Sequence, residues 1–419
     1  MRHTKKTAAA AVLSGALLLA GCGQAGPPSA SDGKLTDGKV VLGVLNDQSG
    51  IYKDLSGPNS VTAVKMAVAD YKKKYGDKAV ATDVSVITAD HQNKPEVANT
   101  KAQEMYDRDG ADIILDVPTS SAALAVATQA KAKKKLYFNI GAATTELTGA
   151  QCNKYTFHYA YDTYMLANGT AKTVTEQGAK NWSIIYPDYA FGQDMKKSFT
   201  TAIEAAGGTV GQAIPTPFPN DNFATFLTKA AGSKPDVIGT MAAGGDLINF
   251  VKQYNEAGLR ARGIDLAVGL MFITDIHSLG VEQFAGTTFT EPWYWNFDDT
   301  NRAFAARFEK KTHTEPSFAH AANYSAAMQY LEAVQRAGTD DSDKVVGALE
   351  GHKVNDVFLR NGEFRASDHQ VVHDAYLAKV KDKADVKRDW DYEKITATIP
   401  AAEAFRPAKA AAAAGCDLG

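Results

Sequence analysis

The run Val40-Val41-Leu42-Gly43-Val44-Leu45 decides the fold, because it contains no polar side chain. An unbroken apolar run of this length predicts a strand that is buried on both faces, as in a parallel sheet covered by helices. Residues 57–75 follow with apolar positions at helical spacing, and residues 84–88 are predicted to form a second strand. The folded part of the chain, which begins near Lys39, is therefore predicted to open with a strand–helix–strand unit of an α/β domain.

The same alternation continues along the chain and occurs twice. Two arrays of similar length predict two lobes, each a doubly wound parallel sheet. Residues 156–163 and the stretch around Glu291 are the candidate crossings between the lobes, and a late strand is predicted over residues 371–380. The other predicted strands are 111–117, 136–140, 181–186, 209–213, 237–241, 264–268 and 286–289, and the other predicted helices are 93–109, 120–134, 192–206, 223–231, 247–257, 301–312 and 319–337.

The N-terminus is typical of an exported lipoprotein. Basic residues within the first six positions precede the apolar segment 8–20, which is shorter than the roughly 20 residues of a membrane span. Leu19-Ala20-Gly21-Cys22 then resembles the bacterial lipobox, in which the cysteine is acylated and becomes the mature N-terminus. We predict a signal peptide over residues 1–21 and lipidation of Cys22. A plain membrane anchor with an incidental cysteine is the alternative.

The remaining boundaries follow from composition and from the crossings. Residues 22–38 are rich in Gly, Ser, Pro and Ala and predict a flexible tether, because they bury too little apolar surface to fold. The predicted first lobe comprises residues 39–158 and 292–350. The predicted second lobe comprises residues 159–291 and 351–400, and residues 401–419 are predicted to form a C-terminal tail.

Net charge and motifs limit the classes of function. The formal net charge is −3, and loss of the basic leader makes it more negative, so we expect no nucleic-acid partner. No dinucleotide-binding glycine motif, phosphate-binding lysine loop or nucleophile elbow is present. Asp188 and Glu291 are a candidate acid and base, but no nucleophile accompanies them. His369 and His373 have metal-ligand spacing only if they lie on a helix, and the valines between them predict a strand. We predict a monomeric binding protein without metal or cofactor, and not an enzyme.

Loops at one edge of the predicted sheets form the candidate site, because open α/β sheets bind ligands beyond the carboxyl ends of their strands. Ser and Thr at helix starts place hydroxyls beside free backbone N–H groups, which suits an anion such as a carboxylate. Helix capping alone explains any single loop, whereas several such loops facing an aromatic residue favour a site. The loops are 46–52, 118–121, 141–145, 187–192 and 242–246.

Two of these segments carry a resemblance to a known family. Gly141-Ala142-Ala143-Thr144, followed by Glu146-Leu147-Thr148, and Asp188-Tyr189-Ala190-Phe191-Gly192 resemble the branched-chain amino acid type of ABC-transporter substrate-binding protein, which is leucine-binding-protein-like. The resemblance runs from about Lys39 to Pro400. It implies a type I periplasmic-binding-protein fold with three crossovers, a ligand held between the lobes, and an ABC permease as partner. A ligand-sensing regulatory protein of the same fold remains the alternative.

The resemblance also implies which residues bind the ligand. A tyrosine that family members commonly carry is missing from the loop around Ala243, and an acidic residue is missing near Met271. In amino-acid binders that acid pairs with the ammonium group of the ligand. A branch of this family that resembles aromatic-acid receptors has a similar sequence at residues 116–121 and 188–192. The matches to the family's carboxylate-binding loops and interlobe aromatic are Thr119, Ser120, Ser121, Ala142, Thr144 and Phe191. Ala143, in the same loop, is also predicted to bind the ligand.

The missing acid determines the predicted ligand. A bound amino acid would bury an unpaired ammonium group at a cost on the order of several kcal/mol. We therefore predict a small aromatic carboxylate in preference to a leucine-like amino acid. In the alternative, Asp246 or Asp275 supplies the charge from a shifted position. The aromatic residues available to cover a ring are Tyr52, Tyr189, Phe191, Trp293 and Trp295.

Two cysteines remain once Cys22 is assigned to lipidation. Cys152 and Cys416 are predicted to leave the cytoplasm with the chain, and such a pair can oxidise to one bridge. Cys416 follows an alanine-rich segment, 410–414, that is predicted to be flexible, so it can reach Cys152 and pin the C-terminus. Two free thiols are the alternative.

Overall fold

The computed structural model describes residues 35–418 and folds them into two α/β lobes. The predicted signal peptide, residues 1–21, and Cys22 lie outside the described residues. Within residues 35–418 no helix is both long enough and apolar enough to cross a membrane.

The first lobe is built on a five-stranded parallel sheet of order β2-β1-β3-β4-β5. Every residue of β1, which lies between β2 and β3, is buried, as the apolar run predicts. Strand β1 pairs with β2 on one side and with β3 on the other, with Leu42 opposite both Val86 and Ile113. Its alternate side chains enter two separate hydrophobic cores, one on each face of the sheet. The elements are β1 (Val40–Asn46), α1 (Gly57–Tyr75), β2 (Val84–Asp90), α2 (Pro95–Asp107), β3 (Ile113–Asp116), α3 (Ser120–Lys133), β4 (Leu136–Asn139) and β5 (Thr156–His158).

The second lobe repeats this construction with a four-stranded parallel sheet of order β7-β6-β8-β9. A π-helical segment, Ala167–Ala171, joins its first two helices. The elements are α4 (Thr163–Leu166), α5 (Lys172–Glu176), β6 (Asn181–Pro187), α6 (Ala190–Ala205), β7 (Thr209–Thr216), α7 (Ala224–Gly232), β8 (Val237–Thr240), α8 (Gly245–Glu256), β9 (Asp265–Val268), α9 (Ile273–Leu279), α10 (Val281–Phe284) and β10 (Thr288–Glu291).

The chain then returns to the first lobe and crosses once more. The crossings follow β5, β10 and β13, and the two doubly wound lobes confirm the predicted fold class. Strands β10, β14 and β15 form an antiparallel sheet on the second lobe. The remaining elements are α11 (Asp299–Thr312), α12 (Phe318–Ala337), α13 (Ser342–Leu349), β11 (Lys353–Val354), β12 (Gly362–Phe364), β13 (Val371–Val372), β14 (Ala375–Val380), β15 (Glu393–Ile399), α14 (Ala401–Ala404) and α15 (Ala408–Ala413).

The boundary predicted at residue 351 is wrong. Strands β11, β12 and β13 form a small antiparallel sheet that packs on the first lobe, where the Phe364 ring lies 5.8 Å from the Phe157 ring. The backbone N–H of His158 donates to the carbonyl of His369 at 3.0 Å. The second lobe resumes only at β14. The strand predicted over residues 371–380 is therefore two strands in two different sheets.

Both ends of the described chain are attached to the first lobe. Thr36 donates its backbone N–H and its hydroxyl to the Asp340 carboxylate, at 2.7 and 2.9 Å, so the predicted tether is packed at its C-terminal end. At the other end a disulfide joins Cys152 to Cys416, with their Cα atoms 5.4 Å apart. The alanine-rich segment is helical, and Ala411 is buried. The prediction of a flexible tail is therefore wrong, because its apolar face packs on the protein.

Candidate ligand-binding site

The turn after β3 is strained where it enters the cleft between the lobes. Asp116 and Val117 have φ angles of 84° and 61°, a left-handed conformation that is costly for a β-branched residue. The turn is held because the Val117 N–H donates to the Leu45 carbonyl at 2.9 Å and Asn46 Nδ2 donates to Asp116 at 3.0 Å. Burial raises the pKa of Asp116 to about 6. This arrangement presents Pro118 to the space between the lobes.

A small pocket lies between the lobes at the carboxyl ends of the strands. The space left inside it is only about 10 Å³, which is room for about one water molecule. None of the described residues that line it carries a charged side chain. They are Tyr52, Leu55, Pro118, Gly141, Ala143, Tyr161, Tyr189, Phe191, Ala243 and Leu270.

Aromatic side chains close the pocket across the two lobes. The hydroxyl groups of Tyr52, on the first lobe, and Tyr189, on the second, are hydrogen-bonded at 2.7 Å. The Tyr189 ring stacks on Phe218 at 4.2 Å. Burial raises the pKa of both tyrosines, so both remain neutral. The Gly245 N–H also donates to the Ile51 carbonyl at 3.4 Å, and the structure is therefore a closed form.

The loop after β4 has its backbone carbonyls turned to protein donors. The carbonyl oxygens of residues 141, 142 and 143 each accept a hydrogen bond from outside the loop. Burial lowers the pKa of one donor, His158, to about 4, so its imidazole is neutral. With these oxygens occupied, the loop has little negative potential to repel an anion. The donors are Tyr161 Oη to Gly141 at 2.6 Å, Asn139 Nδ2 and His158 Nε2 to Ala142 at 2.7 and 2.9 Å, and the Thr163 N–H to Ala143 at 2.8 Å.

The hydroxyl groups predicted to bind a carboxylate have different surroundings. Thr119 Oγ1 donates to Asn93, and Thr144 Oγ1 accepts from the Glu146 N–H at 3.3 Å as the cap of a short 3₁₀ helix. Ser121 is half-buried and does not line the pocket. Of these four predicted hydroxyl groups, that of Ser120 is the one that is buried with no hydrogen-bond partner among the described residues. Helix capping, the simpler interpretation, therefore accounts for Thr144.

Eight predicted residues lie outside the pocket wall, namely Thr119, Ser120, Ser121, Ala142 and Thr144 of the first-lobe loops, and Met271, Trp293 and Trp295. Met271 is fully buried, and its neighbour Leu270 lines the pocket instead. Trp293 donates Nε1 to the Val357 carbonyl at 2.7 Å, and Trp295 donates to the Trp390 carbonyl at 2.8 Å. The prediction that these tryptophans cover a ligand ring is wrong, because each indole packs elsewhere after the second crossing.

The structure adds residues that sequence reasoning missed. Tyr161 lies in the first crossing, which was identified as a crossing but not as part of the site. Phe218 follows β7, and the rule that loops after strands form the site applies to that loop as well. Leu55, Pro118 and Leu270 have apolar side chains that carry no chemical signal in the sequence.

Two carboxyl groups lie behind the second lobe's side of the pocket. Asp246 accepts the Asn220 N–H at 3.1 Å, and its charge contributes to the raised pKa of Tyr52. Asp275 accepts the Phe272 N–H at 2.9 Å. Burial raises the pKa of each carboxyl to about 7. Across residues 35–418, no group of three or more His, Cys, Asp or Glu side chains is arranged to hold a metal ion.

A neutral pocket enclosed by two α/β lobes defines a solute-binding protein. The chain belongs to the periplasmic binding protein family, whose model matches residues 39–385. This confirms the resemblance found in the sequence. The family consists of extracytoplasmic binding proteins and not enzymes, and its solved relatives include solute-binding proteins of ABC transporters.

Solved structures support this assignment. A periplasmic binding protein from Burkholderia mallei is 42% identical, with a TM-score of 0.84 over 88% of this chain and 96% of that one. A branched-chain amino acid ABC transporter periplasmic ligand-binding protein from Burkholderia xenovorans is 36% identical, with a TM-score of 0.79 over 88% and 97%. A solute-binding protein from Rhodopseudomonas palustris in complex with 3,4-dihydroxybenzoic acid is 23% identical, with a TM-score of 0.76 over 87% and 98%, and shows likeness of fold alone.

Proposed function

We propose that this chain is the exported, lipid-anchored receptor of an ABC importer, and that it binds a small aromatic carboxylate between its lobes for delivery to the permease. The observation that carries the proposal is the pocket wall, which is aromatic and apolar and has no charged side chain. A flat acid brings one negative charge and an apolar body. A free amino acid also brings a positive charge, for which this wall has no partner.

The carboxylate is proposed to lie on the first lobe. Ser120 begins α3, where backbone N–H groups have no partner within the helix and the helix dipole favours a negative charge. Its Oγ lacks a partner in the closed form, and a carboxylate oxygen would supply one. The loop 141–143 faces it with its carbonyls already bonded to other groups. The start of α3 at Ser120 and the loop 141–143 therefore both favour an anion.

The aromatic ring is proposed to separate Tyr52 from Tyr189. The closed pocket has room for about one water molecule, so a benzoate-sized ligand enters only when the lobes open. Tyr52, Tyr189 and Phe218 then offer ring faces on which the ligand can stack. Proteins of the same fold are described in complex with aromatic acids, so the fold accommodates ligands of this class.

Isothermal titration calorimetry tests the ligand class. We expect the purified protein to bind benzoate or 4-hydroxybenzoate, and to bind leucine, isoleucine and valine weakly or not at all. Ser120→Ala should weaken binding of the aromatic acid by about tenfold, since hydrogen bonds to charged groups contribute about 1.5–3 kcal/mol. Ser121→Ala is the matched control on the same turn and should bind like the wild type. Tight leucine binding without any response to aromatic acids would overturn the proposed ligand.

A leucine-like amino acid is the second candidate, and Asp246 is the observation that favours it. Its carboxyl is buried next to the aromatic wall, and within residues 35–418 it accepts hydrogen bonds from the Asn220 N–H alone. A modest shift of the lobes would bring it to an ammonium group. Asp246→Asn separates the candidates, because it should abolish amino-acid binding and leave the binding of an aromatic acid nearly unchanged.

Membrane attachment is tested separately from ligand binding. Mass spectrometry of the membrane fraction should find an acylated Cys22 as the first residue. Replacement of Cys22 with serine should release the protein from that fraction. Unmodified Cys22 in membrane-bound protein would contradict the proposed anchor.

A further inference from the structure

An arginine of the C-terminal tail, Arg406, is hydrogen-bonded to the segment that follows the pocket loop. Arg406 Nη2 donates to the carbonyl oxygens of Thr145 and Thr148, at 3.2 and 2.9 Å, and to Thr148 Oγ1 at 3.3 Å. These carbonyls belong to the short 3₁₀ helix Thr145–Thr148, which directly follows the loop 141–144. The Thr148 carbonyl lies at the C-terminal end of this helix, where carbonyls lack partners within the helix, and the same guanidinium nitrogen also reaches the carbonyl of the first residue, Thr145. Arg406 therefore fixes the C-terminal end of the loop.

The second lobe holds the same residue from its other side. The Thr145 N–H donates to Asp194 Oδ2 at 2.7 Å, and Thr145 Oγ1 donates to Asp194 Oδ1 at 3.0 Å. Asp194 lies on α6 and also accepts from Thr163 Oγ1, in the first crossing, at 2.7 Å. Thr145 is thus the point where the pocket loop, the second lobe and the tail meet.

Arg406 is positioned by the tail around it. Its backbone carbonyl accepts from Arg365 Nη1 at 3.0 Å, and the preceding Phe405 is buried against His373. Ten residues beyond Arg406, the disulfide ties Cys416 to the first lobe. The guanidinium is therefore attached through structured chain on both sides and not through a loose end.

We propose that Arg406 is a positioning residue for ligand binding. Arg406 lies outside the pocket wall and acts through the backbone of residues 145–148 on the loop 141–144. The chemical class of the ligand is the small carboxylate named above, and this inference rests on the proposed function. The tail is thereby part of the binding apparatus, although it lies far along the chain from the loop it holds.

Three variants test the inference. Arg406→Ala removes both carbonyl contacts. Arg406→Lys keeps the charge but not the planar pair of donors, so it should recover only part of the effect. Lys409→Ala is the matched control, since Lys409 is an exposed cation on the same tail. We expect about tenfold weaker ligand binding for Arg406→Ala, an intermediate value for Arg406→Lys, and the wild-type value for Lys409→Ala.

Hydrogen–deuterium exchange in the absence of ligand provides a readout that does not depend on the ligand's identity. Amides of residues 141–149 should exchange faster in Arg406→Ala, while those of α2 should be unchanged. A general loss of stability would instead accelerate both regions, and that result would overturn the inference. Unchanged exchange over residues 141–149 would overturn it as well. If the wild type binds none of the acids, the proposed function fails, and the exchange result still decides the role of Arg406.

Discussion

Replacing Gly141 with alanine tests how closely the two first-lobe loops of the pocket must approach each other. A Cβ at this position would lie 2.6 Å from Pro118 Cα and 2.9 Å from Asp116 Oδ1. The first contact is backbone and the second is a buried carboxylate in a strained turn, so neither can move aside easily. Overpacking of this kind costs about 1–3 kcal/mol of unfolding free energy.

The same substitution should also weaken ligand binding. Gly141 and Pro118 both line the pocket, and separating them moves the loop 141–143 away from the start of α3, where the carboxylate is proposed to lie. If half of a 2 kcal/mol strain were relieved by that movement, affinity would fall by about fivefold. The assays are urea unfolding followed by tryptophan fluorescence, and calorimetric titration with the ligand.

Gly232→Ala is the control for these measurements. Gly232 ends α7, and a Cβ there would meet nothing within 4 Å, so alanine should be neutral or stabilising by about 0.5–1 kcal/mol. The reasoning is refuted if Gly141→Ala is as stable as the wild type and binds the ligand equally well.

Three further predictions concern the disulfide, pH and closure. Denatured, unreduced protein should show no free thiol at Cys152 or Cys416, and reduction should lower the unfolding free energy by up to about 5 kcal/mol, because the bridge spans 264 positions; two reactive thiols would contradict the bridge. Burial raises the pKa of Asp275 from 3.8 to about 7, so the folded protein holds this proton more tightly than the unfolded chain and loses stability as pH rises through that interval. Asp275→Asn should make this slope shallower, because Asp246 and Asp116 also have raised pKa values and keep their contributions, and pH profiles parallel to the wild type would argue against the role of Asp275. Small-angle scattering should give a smaller radius of gyration with ligand than without, and an equal radius at saturation would count against hinge closure.

The fold was predictable because its signal is local. The apolar run at Val40–Leu45 indicates burial on both faces, and the helices predicted on either side of the strands favour a parallel sheet covered by helices as that environment. The lobe boundary was less predictable, because strands β13 and β14 are separated by only two residues and differ solely in the sheet they join. Sheet membership is a property of distant partners, which a short alternating pattern does not encode.

The site was predictable to the level of loops and not of side chains. The strand-end rule found the loops of Tyr52, Ala143 and Tyr189, because the edge of a sheet follows from strand order. It did not reveal that the Thr119 hydroxyl donates to Asn93, or that the Trp293 indole donates to the Val357 carbonyl and not to a ligand. These outcomes depend on competition among neighbours for hydrogen bonds and space, and those neighbours are remote in sequence.

The attachment of both ends of the described chain to one lobe has a practical consequence for optical sensing. Thr36 is bonded to Asp340, and Cys416 is bridged to Cys152, so fluorophores placed beside these two residues would move together with the first lobe. Their energy transfer would stay constant whatever the cleft did. A donor beside Cys416 and an acceptor on an exposed residue of the second lobe, such as Lys229 on α7, would instead report ligand binding as a change in the efficiency of energy transfer.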